Sequence, residues 1–201
     1  LADTGTAVTP FSVFYRFQGR LNLLQYFLAS LDVSGLRAEV GAYRGATSLL
    51  LCRCAHALQP EFDGSGYFLL DSFEGAGQSG EHDLIPVRSE NGTVRREAFF
   101  PAGRTDNSEQ GVRDTFREFP GARIVRGWVP EVLSELPEAR WAFVHLDVNL
   151  YEPTLAALEY FHARLSPGGV IAADDYGSPF TPGAMKAWQE FSKRHDVSYV
   201  V

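Results

Sequence analysis

Two apolar runs in this chain end in clusters of ionisable groups. "FVHLDVNLYEPT", Phe143 to Thr154, breaks from a buried-looking strand into His145, Asp147, Asn149, Tyr151 and Glu152. "GGVIAADDYG", Gly168 to Gly177, does the same and ends in Asp174 and Asp175. If the two runs are neighbouring parallel strands, they lie about 4.8 Å apart. Their three carboxylates then converge on one edge, where they repel and raise each other's pKa values. A divalent cation relieves that repulsion, and oxygen-only ligands suit Mg²⁺. The plainer alternative is that Asp174 or Asp175 caps whatever follows. It accounts for one of the pair and not for all three. By strand alternation His145 points to the opposite face from Asp147's neighbours and reads as a buried, hydrogen-bonded histidine rather than a ligand. His82 has no evident partner, and His56, His162 and His195 fall on helix surfaces.

Two further strand ends carry signals. "EVGAYRGATS" closes one strand with Glu39, Gly41 and Gly45 and opens a helix. Glycine there lets a ligand approach the backbone, or simply makes a tight turn. The spacing is G-x-x-x-G with Tyr43 and Arg44 between, not the dinucleotide fingerprint, so a ligand without a pyrophosphate fits better. "LLDSFEG" ends the next strand in Asp71, suited to a ribose diol or to capping a turn. "RGW" places Gly127 and Trp128 at a third end, where Trp128 flanks a base or joins the core.

These elements alternate. Helical spacing covers Leu21–Leu31, Thr47–Leu58, Ser108–Phe119, Pro130–Leu136, Glu152–Leu165 and Gly183–His195. Strands fall at 36–43, 66–73, 122–128, 141–148, 166–176 and 197–201. Alternation with continuously apolar strands predicts a doubly wound, mostly parallel α/β sheet covered on both faces. The stretch from Glu74 to Asn107 shows little periodicity and predicts a mobile lid.

The 201 residues suit a single domain, 45% hydrophobic and 21% charged. A net charge of -7 argues against a nucleic-acid partner. No run spans a membrane. Cys52 and Cys54 lie two apart on a helix and face apart, so no disulfide is expected, in keeping with a reducing cytoplasm.

The blocks "HLDVNLYEPT", "LSPGGVIAADDYG", "EVGAYRGATS", "DSFEG" and "VRGWVPEVLSELP" resemble the macrocin O-methyltransferase (TylF-like) family, in order and spacing, from about residue 36 to 192. The resemblance implies a class I S-adenosylmethionine-dependent enzyme with bound Mg²⁺. It implies that Glu39, Gly41, Tyr43 and Thr47 line the methionine part of the cofactor, within a turn completed by Arg44, Gly45 and Ser48. Asp71 would hold the ribose, with Ser72 and Phe73 beside the adenine and Gly127 and Trp128 near it. Asp147, Asp174 and Asp175 would bind Mg²⁺, with Asp147 also facing the cofactor and serving as general base. The acceptor would be a small glycosylated or polyol molecule; a homo-oligomer is left open. Two departures stand out: Asn149 replaces the family's usual Asp, and the family's seventh strand is not evident, so the last strand is expected to be missing. A catechol-type O-methyltransferase and a non-catalytic binding module are the alternatives.

Overall fold

The computed structural model describes residues 10–103 and 107–197, with side chains from residue 19 onward. Five strands form one sheet: β1 (Leu36–Val40), β2 (Tyr67–Asp71), β5 (Arg123–Arg126), β6 (Trp141–Leu146) and β7 (Leu165–Ala173), in the order β5-β2-β1-β6-β7. Every pairing in it is parallel. Parallel neighbours require crossovers, and the helices supply them. α2 (Ala46–Leu58), α3 (Glu109–Thr115) and α4 (Tyr151–His162) lie in crossovers, while α1 (Pro10–Ala29) precedes β1 and α5 (Pro182–His195) follows β7.

The strands are apolar along both faces because both faces are covered. One core combines Val40, Val144 and Leu146 with Leu158 and Phe161 of α4 and Phe191 of α5. The opposite core combines Leu69 and Phe143 with Phe27 of α1, Leu51 of α2 and Val112 of α3. All six residues of β6 are buried. The doubly wound class read from the sequence is the observed one. No helix among the described residues is long and apolar enough to cross a membrane.

The chain winds outward from β1 to β2 and β5, then crosses back to place β6 on the other side of β1. Strand order therefore reverses between β1 and β6, and the crevice outside their carboxyl ends is where such sheets bind ligands. β6 and β7 are neighbours in register, His145 opposite Ala172 and Leu146 opposite Ala173. The two acidic endings thus lie side by side, as their sequences suggested.

The Glu74–Asn107 stretch, despite its lack of periodicity, contains regular elements. It holds a short 3-10 turn, Glu81–Asp83, and an antiparallel hairpin of β3 (Leu84–Arg88) and β4 (Val94–Ala98). Alternation does not reveal the hairpin, because Pro86 interrupts one strand and "VRREA" is largely exposed and charged. Its turn is legible in hindsight. Gly92 has φ 83°, and the Asn91 side-chain Oδ1 accepts the Thr93 N–H at 3.1 Å. Ser108 caps α3 as expected, accepting the Gly111 N–H at 3.2 Å. That helix is shorter than its sequence pattern, and Pro130–Leu136 forms a 3-10 segment, Glu131–Glu135. The strand expected at "VSYVV" lies, beyond Val197, outside the described residues. Cys52 and Cys54 are both free thiols, as their helical spacing required.

Phe143 is fully buried and meets Phe27 edge-on, with ring centroids 5.3 Å apart. Truncating such a ring loses its transfer free energy and leaves a cavity. Phe143→Ala is expected to cost about 3–5 kcal/mol, measured by urea denaturation. A cost under about 1 kcal/mol would contradict this packing.

Candidate active site

The site begins where β1 and β6 end together. The Asp147 N–H donates to the Val40 carbonyl at 2.9 Å, and the Asp174 N–H donates to the Leu146 carbonyl at 3.0 Å. Gly41 has φ 89°, and a Cβ there would collide with the Asp147 carbonyl. Glycine at 41 is therefore demanded by the meeting of the two strands. Tyr43, Phe73 and Asn149 also take left-handed φ values of 49°, 57° and 63°. These uncommon conformations for non-glycine residues sit just beyond the ends of β1, β2 and β6.

The G-x-x-x-G turn runs from Gly41 to Gly45, which precedes α2 at φ 74°. Tyr43 is exposed, with the Arg44 guanidinium 5.2 Å from its ring centre. Asp71 binds this turn to the next strand end. Its carboxylate accepts the Tyr43 N–H at 2.7 Å and the Phe73 N–H at 2.8 Å. Burial raises the Asp71 pKa, and those two N–H groups partly offset it. Asp71 therefore acts as a turn clasp, the alternative weighed beside ribose binding. Asn107 reaches over the same turn and donates to the Tyr43 carbonyl.

Several expected contact residues face inward. Glu39 is 2% exposed. One of its oxygens pairs with His145 Nδ1 at 2.9 Å; the other accepts the Ser48 N–H at 3.2 Å and the Ser48 hydroxyl. The Ser48 hydroxyl also meets the Tyr67 hydroxyl at 3.1 Å. Glu39 and Ser48 thus satisfy each other beneath the glycine turn, and neither side chain lies on the cleft surface. Phe73 is buried in the core, and Ser72 turns its hydroxyl to the Gly75 carbonyl at 3.1 Å. Thr47 is half-buried in the first turn of α2. Gly127 is explained by packing, because a Cβ there would press on Val132. Trp128 belongs to the surface rather than the core. It is 39% exposed and walls an open cavity of about 270 Å³ with Glu74, Gly77, Gln78 and Gly103.

The carboxylates at the ends of β6 and β7 are electrostatically coupled. Burial drives the Asp147 pKa well above its ordinary value, and the charges of Asp174 and Asp175 add to that. Asp175 is raised to about 6, by burial first, with the Asn149 N–H opposing and the Asp174 charge adding. Its Oδ2 accepts that N–H at 2.8 Å, so Asp175 also performs part of the capping role. Asp174 is exposed. Among the described residues, no three His, Cys, Asp or Glu side chains are drawn together as a metal-holding group. The donors are adjacent and acidic without forming a closed ligand cage.

His145 is buried, as its strand position implied. Burial alone lowers its pKa, but the hydrogen bond and charge of Glu39, with the charges of Asp147 and Asp174, raise it to about 9. Its ordinary value is 6.5. A raised pKa means that the folded protein holds this proton more tightly than the unfolded chain does. The stabilisation is complete below pH 6.5 and is lost as pH rises through 9. In chelator-treated protein, stability is expected to fall across that window by on the order of 3 kcal/mol. Glu39→Gln is expected to flatten the fall. Parallel stability curves for the two proteins, from denaturation at a series of pH values, would contradict the assignment.

Sequence reasoning missed Asp83, which is 5% exposed and buried in the segment expected to be a loop. Nothing in "GEHDLI" marks its long-range contact, because the distant partner is a backbone group, the Tyr151 N–H.

Residues 17–201 match the family described as macrocin O-methyltransferase (TylF). A tetracenomycin-type 4'-O-methyltransferase of Streptomyces olivaceus, named for a dimethoxy-rhamnosyl compound, is 31% identical over 166 residues. Those residues make up 78% of this chain and 60% of that protein. The mycinamicin III 3''-O-methyltransferase of Micromonospora griseorubida is 27% identical over 190 residues, 89% of this chain and 70% of that protein. This chain therefore spans well under the full length of both relatives. Among solved structures, the calicheamicin methyltransferase CalS11 superposes with a TM-score of 0.76 at 20% identity, over 96% of this chain and 76% of that one. The O-methyltransferase NovP does so with a TM-score of 0.67 at 23% identity, over the same shares. At these identities the structures establish the fold. With the match extending over nearly the whole sequence, the chain belongs to the macrocin O-methyltransferase family.

Proposed function

We propose that this chain is an S-adenosylmethionine-dependent, Mg²⁺-assisted O-methyltransferase. Its acceptor would be a sugar hydroxyl on a glycosylated natural product, in the cytoplasm. The observation that carries this reading is the placement of Asp147, Asp174 and Asp175 beside the Gly41–Gly45 turn, at the reversal point of a parallel sheet. Family membership supports methyl transfer to oxygen. The rhamnosyl compound in one relative's name supports a sugar acceptor.

The residues suit a hard divalent cation. Their donors are oxygen alone, and the carboxylates disfavour one another's charge, as the raised Asp147 and Asp175 pKa values record. When bound, S-adenosylmethionine supplies an activated methyl group and Mg²⁺ supplies charge that eases loss of the acceptor's proton. Asp147, Asp174 and Asp175 would hold the cation. The chain's own work is positioning and proton removal. Gly41 leaves the backbone bare at the crevice. Asp71 fixes the Tyr43 turn, so that the cofactor meets a preformed surface. Asp147, half-buried where β1 and β6 end, is the general base for the acceptor hydroxyl. The buried Glu39–His145 pair sets the floor beneath both.

Purified protein is expected to add one methyl group to a rhamnosylated acceptor, seen by mass spectrometry and located by NMR. Exhaustive chelation is expected to cut the rate by at least about a hundredfold, with Mg²⁺ restoring it. Asp174→Ala is expected to show the same loss while S-adenosylmethionine affinity, read by calorimetry, stays within about threefold, about 0.7 kcal/mol. Transfer that survives chelation unchanged would overturn the metal's role. Methylation of catechols in preference to sugars would overturn the acceptor class.

A further inference from the structure

The segment between β2 and α3 is fastened at its middle. Both oxygens of Asp83 are engaged, one by the Gly80 N–H at 2.8 Å and the other by the Tyr151 N–H at 2.8 Å. Tyr151 opens α4, whose preceding residue, Leu150, offers no side-chain cap. Asp83 therefore fills the capping role from 68 residues away. A Cβ on Gly183, in the first turn of α5, would collide with the Asp83 carboxylate. His82 sets its ring edge-on against Tyr151, centroids 4.6 Å apart, and meets Lys186 of α5 at 3.0 Å. The Glu81–Asp83 turn is thus wedged between the starts of α4 and α5.

The connection it grips is the acidic one. Asp147 to Tyr151 joins β6 to α4 in a single short turn. Asp175 holds the Asn149 N–H from the β7 side, and Asp83 holds the Tyr151 N–H from the other. Asn149, between them, is in a left-handed conformation at φ 63°, a strained state for a non-glycine residue. Two carboxylates from distant parts of the sequence thus hold two amides of this short connection, one on each side of Leu150.

We infer that Asp83 is a positioning residue, coupling the docked state of the Glu74–Ala98 segment to the placement of Asp147 and Asp175. The inference rests on the proposed function for its consequence in catalysis, but its physical content does not. Releasing Asp83 frees the Tyr151 N–H, lets Asn149 relax and shifts Asp147. Cofactor-turn residues 41–48 are held by Glu39 and Asp71 instead and stay in place.

Amide hydrogen exchange on the metal-free full chain, without cofactor or acceptor, tests the coupling. In Asp83→Ala, exchange at Asn149 is expected to rise at least tenfold, although Asp83 does not touch that amide. Gly183→Ala, which displaces the carboxylate without removing it, is expected to do the same and covers the case in which the first variant does not fold. Asp83→Asn, which still accepts the Tyr151 N–H, is expected to restore most of the protection at Asn149. In turnover, Asp83→Ala is expected to lower kcat about tenfold with KM for S-adenosylmethionine unchanged. Faster exchange confined to residues 80–98, with Asn149 unaffected in both Asp83→Ala and Gly183→Ala, would overturn the inference. Absence of methyl transfer by the unaltered protein would instead count against the proposed function, since the exchange measurement needs no reaction.

Discussion

The meeting of β1 and β6 at Gly41 and Asp147 is the constraint on which the rest depends. Strand order reverses there, so no crossover covers the carboxyl ends and a crevice opens. The contact is backbone against backbone, with the Gly41 α-carbon facing the Asp147 carbonyl and leaving no room for a Cβ. From that point the chain turns one way into the Tyr43 loop and the other way into the acidic connection to α4. Both halves of the site are positioned by the same junction. A substitution at Gly41 would disturb the Gly41–Gly45 turn and Asp147 together.

Charge beneath this junction is handled in two ways. Glu39 and His145 form a fully buried pair, closed off by Ser48 and Tyr67. A buried pair of this kind is costly to break, since the survivor is left charged in low dielectric. It fixes the relative height of β1 and β6 just below the crevice. Above it, Asp147 and Asp175 feel the charge of Asp174, and the Asn149 N–H and the Thr181 side chain relieve Asp175 only in part. The lower layer is closed by its own partners, whereas the upper layer carries the repulsion that the proposed cation would relieve.

The sequence made the scaffold legible where period and burial agree. β6 and β7 are runs of apolar residues with no competing reading, and their adjacency placed Asp147 and Asp174 on one edge. His145 could be assigned to the interior because it lies within a strand that is apolar on both faces. The fate of Glu39 and Ser48 was not legible. A carboxylate near the end of a strand serves a ligand or an internal histidine equally well, and only the Glu39–His145 register decides between them. Asp83 was hidden for another reason. Its partners are the N–H groups of Gly80 and Tyr151, and backbone partners leave no trace in residue type. The hairpin escaped because Pro86 and a run of exposed arginines mask the two-residue period of its strands.

The claim at the centre is that the strand-end carboxylates hold one divalent cation that serves methyl transfer. Mn²⁺ can stand in for Mg²⁺ and is visible by electron paramagnetic resonance. Titration of the metal-free protein in the presence of S-adenosylhomocysteine should show one bound Mn²⁺ per chain, displaced by Mg²⁺ and absent from Asp147→Asn. Failure of the unaltered protein to bind Mn²⁺, or binding that persists undiminished in Asp147→Asn, would contradict the account.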